Sequence, residues 1–365
     1  MGVTEENRQA IAIRPLGEDD LASVAALFMR RLGKPHIETL EQACTLLRRT
    51  LLHDPWRDEA IPSLVSEARD GSIVGFIGSS VRRVRLDGQP LRAAYASHLV
   101  TDPDFTNRTV GLFLLRAFLR GPQDLTLTDS ATSQARAMWV ALGASPIHHL
   151  TTGWLQVMRP ASALAALGRY RGGRAARAAR AARMASPLAD RFAGRLAGDA
   201  RAPSLPGVTI HALTPETVLR ELSQLARPAR LVQDYDADFL AWLFDELRRG
   251  GARGEPCFRL VRARGAVVGW YIFYLDPGGL CRVLQVMTRE RHSDVVIGEL
   301  YKDAYAGGAA ALYGRLEPHT SEAILARGAL LRPLPRALVH TGNEDAASAL
   351  HSGGSVLSWL DGEPW

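Results

Sequence analysis

The sequence predicts a mixed α/β protein built as two similar domains in tandem, because three landmarks occur twice in the same order. The segment Ser72–Phe76 (SIVGF) returns as Ala266–Trp270 (AVVGW), each after a strand-like run and a short turn. Gly111, near the start of a helical run, is matched by Gly298, and the helix-ending segment Trp139–Ala144 by Ile324–Ala329. Taken at the glycines, the offsets are 194, 187 and 185 residues. Ordered self-similarity at a nearly constant offset marks a duplicated unit. The 365 residues, 47% hydrophobic and 22% charged, suffice for two separate cores.

In the first copy, Ile11–Leu16 reads as a strand. The acidic run Glu18–Asp20 suits a helix N-terminus, and Leu21–Leu32 is amphipathic at helical spacing. A second helical region covers Ile37–Leu52. Pro62–Ala68 and Ser72–Gly78 form a hairpin over Arg69–Gly71, and Gln89–Val100 gives another strand. The loop Thr101–Arg108 leads to a helix over Thr109–Leu119, then a strand over Leu125–Asp129 and a helix over Thr132–Leu142.

The second copy opens with the strand Val208–Leu213, followed by Thr214 as N-cap and Pro215 in the first helical turn. Asp238–Leu247 is a helix with an aromatic face. Strands follow over Cys257–Ala263, Ala266–Leu275 and Leu280–Met287, with turn chemistry at Asp276–Gly279. A helix over Asp294–Ala306, a strand over Ala310–Leu316 and a terminal strand within 355–365 complete it. The expected divisions are a first domain over 9–160, a linker over 161–206 and a second domain over 207–365.

Arginine replaces lysine almost throughout, only Lys34 and Lys302 being lysine, which fits a GC-rich bacterial genome. Charge is nevertheless uneven: residues 161–201 hold nine arginines against Asp190 and Asp199, while the whole chain carries +6. Arg174, Arg177, Arg180 and Arg183 recur among alanines, so a cationic helix is expected between the domains. It is either a solvated connector or a dock for an acidic partner: a carrier protein, RNA or an anionic membrane surface. Three widely spaced cysteines, Cys44, Cys257 and Cys281, read as reduced thiols without metal-ligand spacing. The N-terminus is polar and no apolar run reaches the roughly 18–20 residues of a membrane span. The expected compartment is the cytoplasm, with no transmembrane segment and no metal.

This order of elements, with Ile13–Leu16, Glu18–Asp20, Ile73–Phe76 and Ala137–Gly143, resembles the GNAT (Gcn5-related) N-acyltransferase family over about residues 9–160. The resemblance implies acetyl-CoA or another acyl-CoA as co-substrate, its pyrophosphate held at a helix N-terminus where N–H groups are unpaired. The residues so placed are Val100, Asn107, Arg108, Thr109, Val110 and Gly111. The family's loop, Q/R-x-x-G-x-G/A, keeps only Gly111 here, with Thr106 and Thr109 at the other two places. Trp139 stands where the family often has a tyrosine acid. His98 is then either the base that accepts the amine proton or a packing residue, its ordinary pKa near 6.5 suiting the former. Asp129 and Ser130 either touch the pantetheine arm or acceptor, as the resemblance implies, or cap the next helix.

The second copy has no glycine pair at the start of the helix over Asp294–Ala306 and has Ile324 at the tyrosine place, so its donor site is degenerate. Its polar residues Tyr271, Tyr274, Arg282, Gln285, Glu317 and His319, with Arg315, are candidates for an acceptor site. The expected activity is acyl-CoA-dependent transfer to the amine of a small metabolite or amino sugar. Two alternatives stay open: a Fem-like transferase using aminoacyl-tRNA, and a non-catalytic scaffold in a cell-envelope or polysaccharide pathway.

Overall fold

The computed structural model describes residues 11–32, 37–105, 109–169, 205–226, 229–250 and 253–362. They fall into two compact units, neither of which is one contiguous stretch of chain. The first takes the chain up to His148, then Arg230–Trp242 and Pro335–Ser355; the second takes His149–Ala229, Leu243–Leu334 and Val356–Trp365. Residues 149–160, expected in the first domain, therefore belong to the second unit. Residues 335–355, expected in the second, belong to the first.

In chain order the first unit starts with β1 (Ile11–Pro15), α1 (Leu21–Arg31), α2 (Leu40–Leu47), β2 (Leu64–Ala68), β3 (Ile73–Leu86) and β4 (Gln89–Thr101). It continues with α3 (Val110–Leu119), β5 (Leu125–Ala131), α4 (Ser133–Ala141) and β6 (Ser145–Pro146). The chain then supplies β7 (Thr152–Val157), α5 (Pro160–Arg169), β8 (Val208–Ala212), α6 (Pro215–Leu225), β9 (Leu231–Gln233) and α7 (Ala237–Arg249). Next come β10 (Glu255–Ala263), β11 (Ala266–Leu275), β12 (Leu280–Thr288), α8 (Ser293–Ala306), β13 (Ala311–Arg315) and α9 (Pro318–Leu325). The last elements are β14 (Leu330–Pro333), β15 (Arg336–Thr341), α10 (Glu344–His351) and β16 (Ser355–Val356).

The first sheet runs β1-β2-β3-β4-β5-β15-β6, with β9 against the far end of β3. The second runs β14-β7-β13-β12-β11-β10-β8. Each sheet thus holds a strand from the other half of the sequence: β15 pairs with β5, and β7 lies between β14 and β13. All three pairings are antiparallel, and β4–β5 and β12–β13 are parallel in the two sheets. Each parallel pairing is short. It covers Ala93–Tyr95 against Leu125–Leu127 in one sheet and Leu280–Arg282 against Ala311–Tyr313 in the other. Past these residues the two parallel strands no longer pair.

Local chemistry accounts for the elements around that divergence. Arg14 donates to both Asp20 oxygens at 2.7 and 2.8 Å, and the Gly17 N–H donates to the same carboxylate, fixing the turn from β1 into α1. Thr39 and Gln42 form a capping box on α2, and the Thr132 hydroxyl accepts from the Ala135 N–H at the start of α4. Successive residues of β3 face opposite layers. Phe76 packs with Val24, Phe28 and Val100, and Ile77 with Val110, Leu114 and Trp139. The sheet is therefore covered on both sides.

The repeated glycines have distinct causes. A Cβ at Gly75 would lie 2.7 Å from Leu114 and 2.8 Å from Val110, and one at Gly269 would lie 2.7 Å from Val296. Both glycines let the helix after the splayed strand sit close on its sheet. Gly143 and Gly328, at φ +93° and +75°, follow helix ends in the left-handed region that glycine enters freely.

Candidate functional site

In the first unit the separation of β4 from β5 leaves the backbone edge of β4 after Tyr95 without a β5 partner. A cleft of about 310 Å³ lies there. Its walls are Leu99, Val100 and Thr101 of β4, Gly111 of α3, the start of α4 from Thr132 to Ala135 with Met138, and Arg31 and Leu32 where α1 ends. Two helix N-termini open on it, so N–H groups without intrahelical acceptors face one cavity. A Cβ at Gly111 would meet nothing closer than Thr101 Cγ2 at 3.4 Å, so there is space for a methyl on this side of the helix start.

β4 is bulged as it reaches the cleft. Phe76 pairs with Val100 but Gly78 with Ser97, which leaves an extra residue on β4, and His98 takes φ +52° to accommodate it. Left-handed φ is uncommon in a residue with a Cβ and is found where tertiary structure enforces it. The His98 ring is buried, with Nδ1 2.9 Å from Ser97 Oγ and an edge-on contact to Phe28 at 5.1 Å. Past the bulge, Asp102 directly follows the end of the strand. Burial pushes its carboxyl pKa up, but the Asp104 N–H and the guanidiniums of Arg30 and Arg31 hold it below the ordinary range.

The residues predicted for the donor divide into three groups. Val100 and Gly111 line the cleft. Val110 does not: its side chain is 1% exposed and packs against the sheet, leaving only its backbone near the helix start. Thr109 is the N-cap position of α3, without a side-chain capping bond, and Asn107 and Arg108 lie outside the described residues. Asp129 and Ser130 sit on β5 where its register with β15 shifts, and the cap of α4 is Thr132 rather than either of them. Trp139 is core. Arg31, Gln134 and Met138 were not anticipated. A helix-end arginine and an exposed glutamine carry no signal of a shared cavity until the fold brings them together.

The second unit has the same divergence, and there side chains bridge it. The Val286 carbonyl accepts a hydrogen bond from His319 Nε2 at 2.9 Å, linking α9 to β12 across the splay. Gln285 takes the place that His98 has in the first unit. Its Oε1 accepts from Trp270 Nε1 at 2.8 Å and its Nε2 donates to Ser358 Oγ at 3.2 Å. The guanidiniums of Arg282 and Arg315 lie 4.5 and 5.6 Å from the Trp359 ring. Glu317, 3.5 Å from His319 Nε2, is pushed up to about 8 by burial; Arg315 opposes the shift and Asp361 adds to it. Burial pushes the His319 pKa down.

Arg282, Gln285, Glu317 and His319 are thus brought into one cluster around the segment 358–361. Tyr271 and Tyr274 are not part of it. Tyr271 is fully buried with its hydroxyl 3.2 Å from Asp303, and burial with that carboxylate holds its pKa far above the ordinary value. Tyr274 is 1% exposed and donates to the Leu247 carbonyl, so both tyrosines are core residues rather than walls of a pocket. The cationic linker helix expected over Arg174–Arg183 lies outside the described residues. Of the expected linker, residues 161–169 of α5 and residues 205–206 are described, and Ala163 packs on Ala310 and Ala311 of the second unit. Among the described residues no helix is long and apolar enough to cross a membrane.

A mixed sheet that splays between two parallel strands, with a bulge and a helix N-terminus at the opening, defines a class. The chain has the fold of the GCN5-related N-acetyltransferases, present in two copies. A GCN5-related N-acetyltransferase from Anabaena variabilis matches with TM-score 0.60 at 9% identity, over 93% of this chain and 75% of its own. A conserved protein of unknown function from Enterococcus faecalis, a probable N-acyltransferase, matches with TM-score 0.59 at 10% identity, over 91% and 73%. A GCN5-related N-acetyltransferase from Kribbella flavida matches with TM-score 0.55 at 14% identity, over 92% and 72%. No protein-family model matches the sequence, and no curated protein matches it.

Proposed function

We propose that this protein is an N-acyltransferase whose donor, an acyl-CoA thioester, binds in the cleft of the first unit. The acceptor is an amine of a small metabolite or amino sugar. The observation that carries the reading is the cleft beside Gly111, where β4 parts from β5 and the starts of α3 and α4 meet, whereas at the matching splay of the second unit His319 is hydrogen-bonded across to β12. The donor supplies an acyl carbon for the amine nitrogen to attack: a C–N bond forms, the C–S bond breaks, and the thiolate leaves with the proton the amine gives up.

The chain's part is to bind and orient. The unpaired edge of β4 from Leu99 to Thr101 offers backbone groups to an extended amide-bearing arm, as an added strand would use them. The starts of α3 and α4 favour anionic groups. His98, held by the bulge next to Ser97, is the residue we assign to taking the amine proton, with Asp129 and Ser130 on β5 as candidate acceptor contacts.

Titration calorimetry with acetyl-CoA and a long-chain acyl-CoA, on the wild type and Gly111→Trp, tests this. Binding by the wild type that is lost in the variant is the expected result. A wild-type protein that binds neither thioester overturns it.

A further inference from the structure

We infer that Arg31, at the end of α1, is the phosphate-binding residue of the first unit's cleft, a role that rests on the donor reading above. Among the described residues lining the cavity, Arg31 is the only one with a charged side chain. Its neighbour Arg30 is engaged, with Nη2 2.9 Å from Asp102 Oδ2 and Nη1 3.7 Å from Asp104 Oδ2. Arg31 forms no ion pair among the described residues, so its charge is not neutralised by a carboxylate at contact distance.

Position points the same way. The field of Arg31 reaches the Asp102 carboxyl just beyond β4, and Gly111 comes closest to Thr101, the last residue of that strand. Arg31, Thr101 and Gly111 in the opening turn of α3 line the same cleft. There the sequence keeps a single glycine, and Thr109 carries a Cβ at the preceding place where a second would ease the approach of a phosphate. A guanidinium delivered from α1 supplies charge-assisted hydrogen bonds where the backbone approach is narrowed. The ligand chemistry is a phosphate ester or pyrophosphate joined to a neutral arm that lies along β4.

Calorimetry of the full chain with coenzyme A and with phosphate-free S-acetylpantetheine separates this role from a structural one. Arg31→Ala is expected to weaken coenzyme A about 10- to 100-fold, the range for a hydrogen bond to a charged group. It should leave pantetheine affinity and the melting temperature unchanged. Arg31→Lys should recover part of the loss, and added salt should weaken the wild type more than Arg31→Ala. Equal affinities of wild type and Arg31→Ala for coenzyme A, or equal losses for both ligands, would overturn the assignment while leaving the donor reading in place. A wild type that does not bind coenzyme A would overturn both.

Discussion

Replacing Glu317 with glutamine should change how the stability of the second unit depends on pH. The folded carboxyl keeps its proton up to about pH 8, whereas an unfolded glutamate releases it near 4.5. Between those values the folded chain binds more protons than the unfolded chain, so stability falls as pH rises and the loss is complete above about 8. The slope is at most about 1.4 kcal/mol per pH unit, and from pH 6 to pH 8 the loss accumulates to about 2 kcal/mol. Burial of the carboxyl drives it; Arg315 offsets part and Asp361 adds to it. His319, 3.5 Å away, has its pKa lowered by burial. Glutamine keeps the shape and does not titrate. Urea unfolding at pH 6, 7 and 8, followed through tryptophan emission, should therefore show Glu317→Gln gaining about 2 kcal/mol on the wild type from the lowest pH to the highest. A gap that stays constant across the three pH values would refute the argument.

Gly111→Ala should fold as well as the wild type or gain up to about 1 kcal/mol, because alanine is the better helix former and its methyl meets nothing closer than 3.4 Å. It should nevertheless weaken acetyl-CoA in calorimetry, and an unchanged affinity would place the donor elsewhere. Gly75→Ala should cost about 1–3 kcal/mol in chemical denaturation, since the added carbon would stand 2.7 Å from Leu114 on α3. Asp54 pairs at 2.9 Å with Arg82, which is fully buried, so Asp54→Ala should cost about 3–5 kcal/mol by leaving a buried guanidinium without its carboxylate. Once an acceptor is found, His98→Ala should remove the rise in rate with pH assigned to the base, and a pH–rate profile identical to the wild type would exclude it.

The duplication and much of its local structure were determined by sequence alone. Glycine at 75 and 269 is demanded by a helix seated on a strand, and at 143 and 328 by left-handed φ after a helix, so these positions announce themselves. The cap at Thr214 acts within a single helical turn and was legible for the same reason, whereas the cap of α4 fell to Thr132 rather than to Asp129 or Ser130. What tertiary structure decided was everything non-local. β7 and β15 were not read as strands, and alternation could not have said which sheet they join, because pairing depends on a partner far away in sequence. Tyr271 and Tyr274 look like pocket residues until packing buries them, and His319 reads as a ligand contact until it is seen bonded to the Val286 carbonyl. Arg31 and Gly111 lie eighty residues apart, and only the divergence of β4 from β5 sets both on one cleft.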